Sequence, residues 1–305
     1  MDDRNARPPS APTPGRGIVE LVVAAVAFGV MAWLAKAATH HASSAQVAFV
    51  RFAVGTTAVL LWFSVSGAAV RVRRADLLLL RGGLGSIAVL AYFFAISRLP
   101  VGTATLYHYT APIWTALFAA LLLGERLPRT GAFALVLTFG GVALVVFGQG
   151  KALGGAYGDQ ALALGSAVIS GGAVTAIRAA RRYNATWTVF GAFSLLGLLV
   201  SAGPALATWR TPSLIGWLLL VSVGLVALLA QLLVTRALGH HAAATGGIIS
   251  QLTVITALGL GTLIDSEPFG PLSLVGAIAT LVGVSLAARV STRTDDAPAT
   301  RSERD

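Results

Sequence analysis

Cysteine is absent from the 305 residues, and only 11% of them are charged. With no thiol, the chain forms no disulfide scaffold, iron–sulfur cluster, Cys-based zinc site or thiolate nucleophile. Redox compartment stays open, because helices packed in lipid need no crosslinks. Acids are scarce as well: 12 Asp and Glu stand against 22 Lys and Arg, for a formal charge of +10. His-Glu-x-x-His, Gly-x-Ser-x-Gly and a P-loop are missing too. The nearest approach to a Gly-x-Gly-Asp protease signature, Ala156-Tyr157-Gly158-Asp159, lacks its first glycine and falls in a loop. An intramembrane enzyme and an ATP-driven pump built by this chain alone are thereby disfavoured. A passive channel would need polar rings or a filter segment along a pore, and no such run is visible.

What is present is apolar. Hydrophobic residues make up 56% of the chain, with 34 glycines besides, well above the share in soluble domains. The mean hydropathy is strongly positive, which also excludes disorder. A helix crosses a hydrocarbon core with roughly 20 mostly apolar residues, since its backbone polar groups must pair internally. Ten such stretches are legible, at 18–39, 45–67, 76–97, 101–123, 130–149, 160–180, 185–203, 213–235, 241–264 and 270–289. Turn residues separate them: Gly67, Arg98-Leu99-Pro100, Pro128, Gly154-Gly155, Gly203-Pro204, Pro212, and Pro268 to Pro271. Residues 1–17, with Pro8, Pro9, Pro12 and Pro14, read as a disordered tail, and so does 290–305. The first stretch reaches Lys36 without a small-residue cleavage signature, so it reads as a retained helix rather than a signal peptide.

Basic residues orient the spans. Sixteen Lys and Arg fall on one side, among them Arg71, Arg73, Arg74, Arg126, Arg129, Arg178, Arg181, Arg182 and Arg236. Only Lys36, Arg98, Lys151 and Arg210 fall on the other, while Arg51 and Arg81 lie inside spans. By the positive-inside rule both termini are cytoplasmic. This asymmetry accounts for the excess positive charge without any nucleic-acid partner.

The halves repeat at an offset of 142 residues. Gly29 falls on Gly171, Lys36-Ala37-Ala38 on Arg178-Ala179-Ala180, Leu121 on Leu263, Glu125 on Glu267, and Gly141-Val142 on Gly283-Val284. With five spans per half, an odd number, the second copy enters from the opposite side. The expected architecture is all-α and polytopic: ten transmembrane helices as two inverted five-helix repeats, 18–149 and 160–289, joined by a loop at 150–159. Such pseudo-symmetric halves can exchange conformations around a midplane site.

The segment from Arg98 to Val145 resembles the EamA domain of the drug/metabolite transporter superfamily. It carries a small-residue fourth span with Ala111-Pro112, then Leu123-Gly124-Glu125-Arg126-Leu127 and a Gly140-Gly141-Val142 fifth span. The second half holds a weaker copy, with Val254 in place of Pro112 and Asp265-Ser266-Glu267 in place of Leu123-Gly124-Glu125. Phe28-Gly29 and Arg51-Phe52 fit the first and second spans. The resemblance implies ten helices, a central cavity, and export or exchange of small organic metabolites.

His108, deep in the fourth span and four residues before Pro112, is the leading substrate-site candidate, with interhelical packing as the alternative. Pro112 is expected to bend the helix, because it cannot donate to the ladder and crowds the His108 carbonyl. Tyr107, Thr110 and Trp114 share one helical stripe, and His108, Ala111 and Thr115 the next. Either stripe could line a cavity. Tyr92, Tyr107, Trp33 and Trp114 could supply aromatic walls, and Gln231, Ser250 and Gln251 neutral polar groups; interface anchoring and interhelical glue are the alternatives. Ser250 is the repeat equivalent of His108. Arg51 reads as a structural or gating charge within reach of the headgroups. Glu125 and Glu267, each beside a turn, read as helix caps or gates, and Glu20 as a minor coupling candidate. The glycines Gly82, Gly83, Gly85, Gly171, Gly172, Gly246 and Gly247 suit close helix approach. His40-His41 and His240-His241 invite a metal reading, but adjacent residues point about 100° apart on a helix, so no metal site is expected.

These observations lead to a bacterial inner-membrane secondary carrier that works by alternating access. It is expected to export a small metabolite or drug, with proton entry as one coupling, no cofactor and no catalytic residue. Uptake or exchange by the same fold is the alternative, and a homodimer is left open.

Overall fold

The computed structural model describes residues 14–98, 107–108, 110–125, 128–148, 157–264 and 270–295. Among these residues there are eleven helices and no strand. In chain order they are α1 (Pro14–Ala38), α2 (Ser44–Ser66), α3 (Ala75–Arg98), α4 (Ala111–Leu123), α5 (Arg129–Gly148), α6 (Tyr157–Arg181), α7 (Thr186–Ala207), α8 (Leu214–Ala237), α9 (Ala243–Ile249), α10 (Leu252–Ile264) and α11 (Pro271–Asp295). Six of them, α1, α2, α3, α6, α7 and α8, are long and apolar enough to cross a bilayer. The outer surface carries many large apolar side chains: Leu60, Leu61, Leu79, Leu121, Leu122, Leu199, Leu218 and Leu263 are all exposed. In water so much continuous apolar surface would drive association, whereas lipid chains solvate it.

The structure differs from the sequence reading at several places. Helix α1 begins at Pro14, inside the expected tail, and α6 at Tyr157, so that Tyr157-Gly158-Asp159 is helical rather than loop. Helix α4 begins only at Ala111, after a turn at Thr110. The stretch 241–264 is not one helix: α9 stops at Ile249 and α10 starts at Leu252. There the Ser250 hydroxyl donates to the Gly247 carbonyl at 2.6 Å, and Gln251 N donates to Ile248 O at 3.1 Å, a tighter winding than α. Weak helix formers at Gly246 and Gly247 ease that break. Conversely, Gly203-Pro204 does not end a helix, because α7 runs through Pro204 to Ala207. Near a C-terminus the missing N–H forfeits a single bond, and Thr208 closes the end by donating its N–H and hydroxyl to Pro204 O. Finally, α11 continues to Asp295, past the expected end at 289.

Packing joins the two halves rather than building each alone. The extensive pairs are α1 with α8, α2 with α7, α3 with α6, and α5 with α11. Small residues make these contacts close; Ala38, Ala48, Ala163, Ala167, Ala180, Ala230 and Ala237 are all fully buried. Aromatic packing joins α2 to α7, with Phe52 edge-on to Phe193 at 5.1 Å and Trp62 stacked on Trp187 at 4.7 Å.

Amide side chains fasten the loops at both ends. Gln46, fully buried, donates to Arg210 O at 2.7 Å and accepts from Arg210 N at 3.0 Å. At the other end Asn184 donates to Arg73 O at 2.6 Å and accepts from Arg73 N at 2.9 Å. Each amide therefore satisfies a loop's backbone donor and acceptor together, as a neighbouring strand would.

Candidate functional site

A cavity of about 180 Å³ opens between α1, α2, α3, α4, α6, α7, α8 and the α9–α10 break. That is below the roughly 300–1,000 Å³ of drug-sized sites, so it suits a small metabolite. Of the residues singled out in the sequence, Arg51, Tyr92, His108, Pro112, Gln231 and Ser250 line it. His108 and Ala111 with Thr115 form the cavity stripe of the fourth span. Tyr107, Thr110 and Trp114 do not line it. Tyr107 packs on Ala95 and Ala163, its carbonyl accepts from the Thr110 hydroxyl at 2.8 Å, and Trp114 Nε1 donates to Thr110 Oγ1 at 3.3 Å. Trp33 and the fully buried Gln251 also lie off the cavity wall.

The turn before α4 sets His108. Thr110 N donates to Tyr107 O at 3.1 Å, and α4 begins at Ala111 with Pro112 in its first turn, where no helical donor is needed. His108 then stacks on Tyr92 of α3, with ring centroids 4.0 Å apart. Its Nδ1 lies 2.9 Å from Ser166 Oγ, and that hydroxyl donates to Ala163 O at 2.6 Å. A hydroxyl has one proton to give, so Ser166 must accept from His108, which puts the imidazole proton on Nδ1.

Arg51 does not reach the end of the bundle; it is 7% exposed and lies on the cavity wall. Arg81, which the sequence analysis placed only inside a span, is 4% exposed on the same wall. Its side chain runs along α3 over Gly85, where a Cβ would collide with Arg81 Nη1, and its guanidinium lies 3.9 Å from the Phe193 ring centroid. Gly85 is close to the middle of the 24-residue α3, so the charge sits at mid-depth. The spacing Arg81-x-x-x-Gly85 was the available signal: one helical turn with nothing to block a side chain lying along it. Thr115, in the stripe of His108, Phe28 and the neutral polar Thr253 of the ninth span are on the wall too, beside Ser170 and Phe193, which were not singled out.

The acids lie elsewhere. Glu125 accepts from Arg178 Nε at 3.0 Å with one oxygen and from Ala243 N at 3.0 Å with the other. It therefore caps α9, a helix of the other half, rather than the helix that follows it. Arg178 also donates to Leu238 O at 3.3 Å, and Glu20 pairs with Arg236 Nε at 3.2 Å. Glu267 lies outside the described residues. Among the described residues no group of His, Asp and Glu is arranged to hold a metal ion.

A cavity among helices long and apolar enough to cross a bilayer fits a multi-pass membrane protein. Residues 15–147 and 160–289 match the EamA-like transporter family, and the chain belongs to that family. It is 30% identical over 267 residues to the pseudopaline exporter CntI of Pseudomonas aeruginosa, which covers 87% of this chain and 93% of that protein. Solute carrier family 35 member G1 of Homo sapiens is 25% identical over 261 residues, 81% of this chain and 72% of that protein. A solved crystal structure shares the fold with a TM-score of 0.77 at 20% identity, over 92% of this chain and 99% of that one. The family and these relatives are transporters, not enzymes.

Proposed function

We propose that the chain is a secondary carrier that exports a small organic metabolite or drug across a bacterial inner membrane by alternating access, with both termini cytoplasmic. The observation that carries this reading is the cavity itself, walled by α1 to α4 of the first half and by α6 to α10 of the second. A site shared by two halves opens to one side or the other as they rock.

The helix pairing supports two equivalent halves. Let each span be exchanged for its counterpart in the other half. The pair α1–α8 becomes α6–α3, α2–α7 and α5–α11 map onto themselves, and α4–α6 becomes α10–α1; all are extensive pairs. Individual contacts follow the same rule. Gly29 packs on Thr256 and Gly171 on Trp114, while Gly82 packs on Leu196 and Gly224 on Val54. In each case both partners shift by 142 residues. A helix interrupted at Ser250 beside the cavity is the kind of break at which carriers place their ligands.

Proton coupling through His108 is part of this reading, since its imidazole lines the cavity. Export follows the direction named for the relative CntI. Purified protein in proteoliposomes tests the whole: substrate-stimulated counterflow, accelerated by an imposed pH gradient, is expected. Absence of exchange for every compound whose cellular distribution depends on the chain would overturn it.

A further inference from the structure

We propose that the substrate is an organic oxyanion, a carboxylate or phosphate, held by Arg51 and Arg81. This deepens the carrier reading above and rests on it. Two guanidiniums line one small cavity at depth, each more than nine-tenths buried. Among the described residues no carboxylate lines the cavity and no ion pair joins either arginine. The buried Nε of Arg81 has no hydrogen-bond partner. Arginine does not shed its charge, so such a pair is costly unless something negative enters the cavity. Phe193 offsets part of the cost through its ring face, but a ring accepts no directed pair of hydrogen bonds. The planar donor fork of a guanidinium fits a carboxylate or phosphate edge, each bond being charge-assisted.

The rest of the wall describes the rest of the molecule. Phe28, Met31, Val89 and Tyr92 provide apolar surface, while Thr115, Ser170, Gln231 and Ser250 offer a few neutral polar groups. The ligand is thus a compact acid with an apolar or aromatic body. Exit of an anion from a cell is also favoured by an inside-negative potential, in keeping with export.

The test compares metabolites in medium and cells of a deletion strain, a wild-type overexpresser, and strains making Arg81→Gln or Arg51→Gln at matched membrane levels. The compounds redistributed by the wild-type chain are expected to be acids, and each variant should diminish the effect at least tenfold. The acid found, carboxylic or phosphoric, is then offered to proteoliposomes beside its neutral amide or dephosphorylated form. Counterflow is expected with the acid alone. If the compounds that move are neutral or cationic, or the neutral form exchanges as well as the acid, the anion assignment falls while the carrier reading stands. If nothing moves with the wild-type chain, the carrier reading falls and takes the assignment with it. Melting in detergent without ligand separates loss of function from misfolding. Because Arg81→Gln removes an unpaired buried charge, its melting temperature should equal or exceed that of wild type. A variant that melts lower and still redistributes the compound as wild type does would show a structural arginine and overturn the proposal.

Discussion

Gly141 of α5 and Gly283 of α11, 142 residues apart, each face a threonine on the other's helix. A Cβ on Gly141 would meet Thr280 Oγ1 and lie 2.6 Å from Gly276 O; on Gly283 it would meet Thr138 Oγ1 and lie 2.9 Å from Ala134 O. Both threonines turn their hydroxyls onto their own helix, Thr138 to Ala134 O at 2.6 Å and Thr280 to Gly276 O at 2.9 Å. The two backbones touch where no side chain fits, and the helices meet through small residues on both faces.

Because the two contacts are alike, Gly141→Leu and Gly283→Leu should damage the protein to a similar degree. Overpacking of this kind costs about 1–3 kcal/mol. Thermal melting in detergent, read by size-exclusion chromatography, checks this; a large loss for one variant and none for the other would contradict it.

Gly85 offers a test of the Arg81 cradle that leaves every charge in place. Gly85→Ala puts a methyl where the guanidinium lies and should weaken apparent substrate affinity at least fivefold. Gly83→Ala is the control. Nothing lies within 4 Å of its Cβ position, and alanine is favoured over glycine in a helix by about 1 kcal/mol, so it should melt slightly higher and transport normally. Concentration dependence of uptake into vesicles measures both.

His108 separates binding from coupling. Asparagine can keep a donor toward Ser166 but cannot gain a second proton. His108→Asn should therefore exchange substrate within a few-fold of wild type yet lose acceleration by a pH gradient. His108→Ala, which leaves Ser166 without its partner and Tyr92 unstacked, should lose at least tenfold in flux. Unchanged flux and affinity in the alanine variant would remove His108 from the site.

The Arg178–Glu125 pair, only 20% and 16% exposed, holds α6 to the turn after α4 and, through Ala243 N, to α9. Glu125→Gln should loosen that end of the bundle. A loss of about 1 kcal/mol shifts a two-state population roughly fivefold. A Ser170→Cys reporter on the cavity should then react several times faster with an impermeant thiol reagent added from that side. The same sequence register sets Lys36 on Arg178 and Glu267 on Glu125. Charge reversal at Lys36 should slow transport, and Glu267→Lys should restore it in part; flux in the two single and one double variant decides.

The apolar runs were legible in the sequence because crossing lipid is a local demand, met residue by residue over one helix. Helices stand on those runs, and family membership followed from the Ala111-Pro112 and Gly140-Gly141 patterns. Gly203-Pro204 was misleading because a proline removes one ladder bond without forbidding the helix to continue, and here three more residues follow it. The break at Ser250 was hidden because its hydroxyl bonds to the Gly247 carbonyl, a competition that hydropathy does not register.

The sequence by itself determined that this is a helical membrane protein with a strongly asymmetric charge distribution and recurring landmarks, since composition and spacing are properties of the chain. Only the tertiary structure decided which stripe of the fourth span faces the cavity, and that Arg51 and Arg81 line it together with no acid among the described residues of its wall. The physical reason is that burial of a charge depends on what distant helices bring next to it. In the sequence Arg81 is only a charge within a span; its inward course depends on α7, which presents Phe193, and on Gly85, which leaves the guanidinium room.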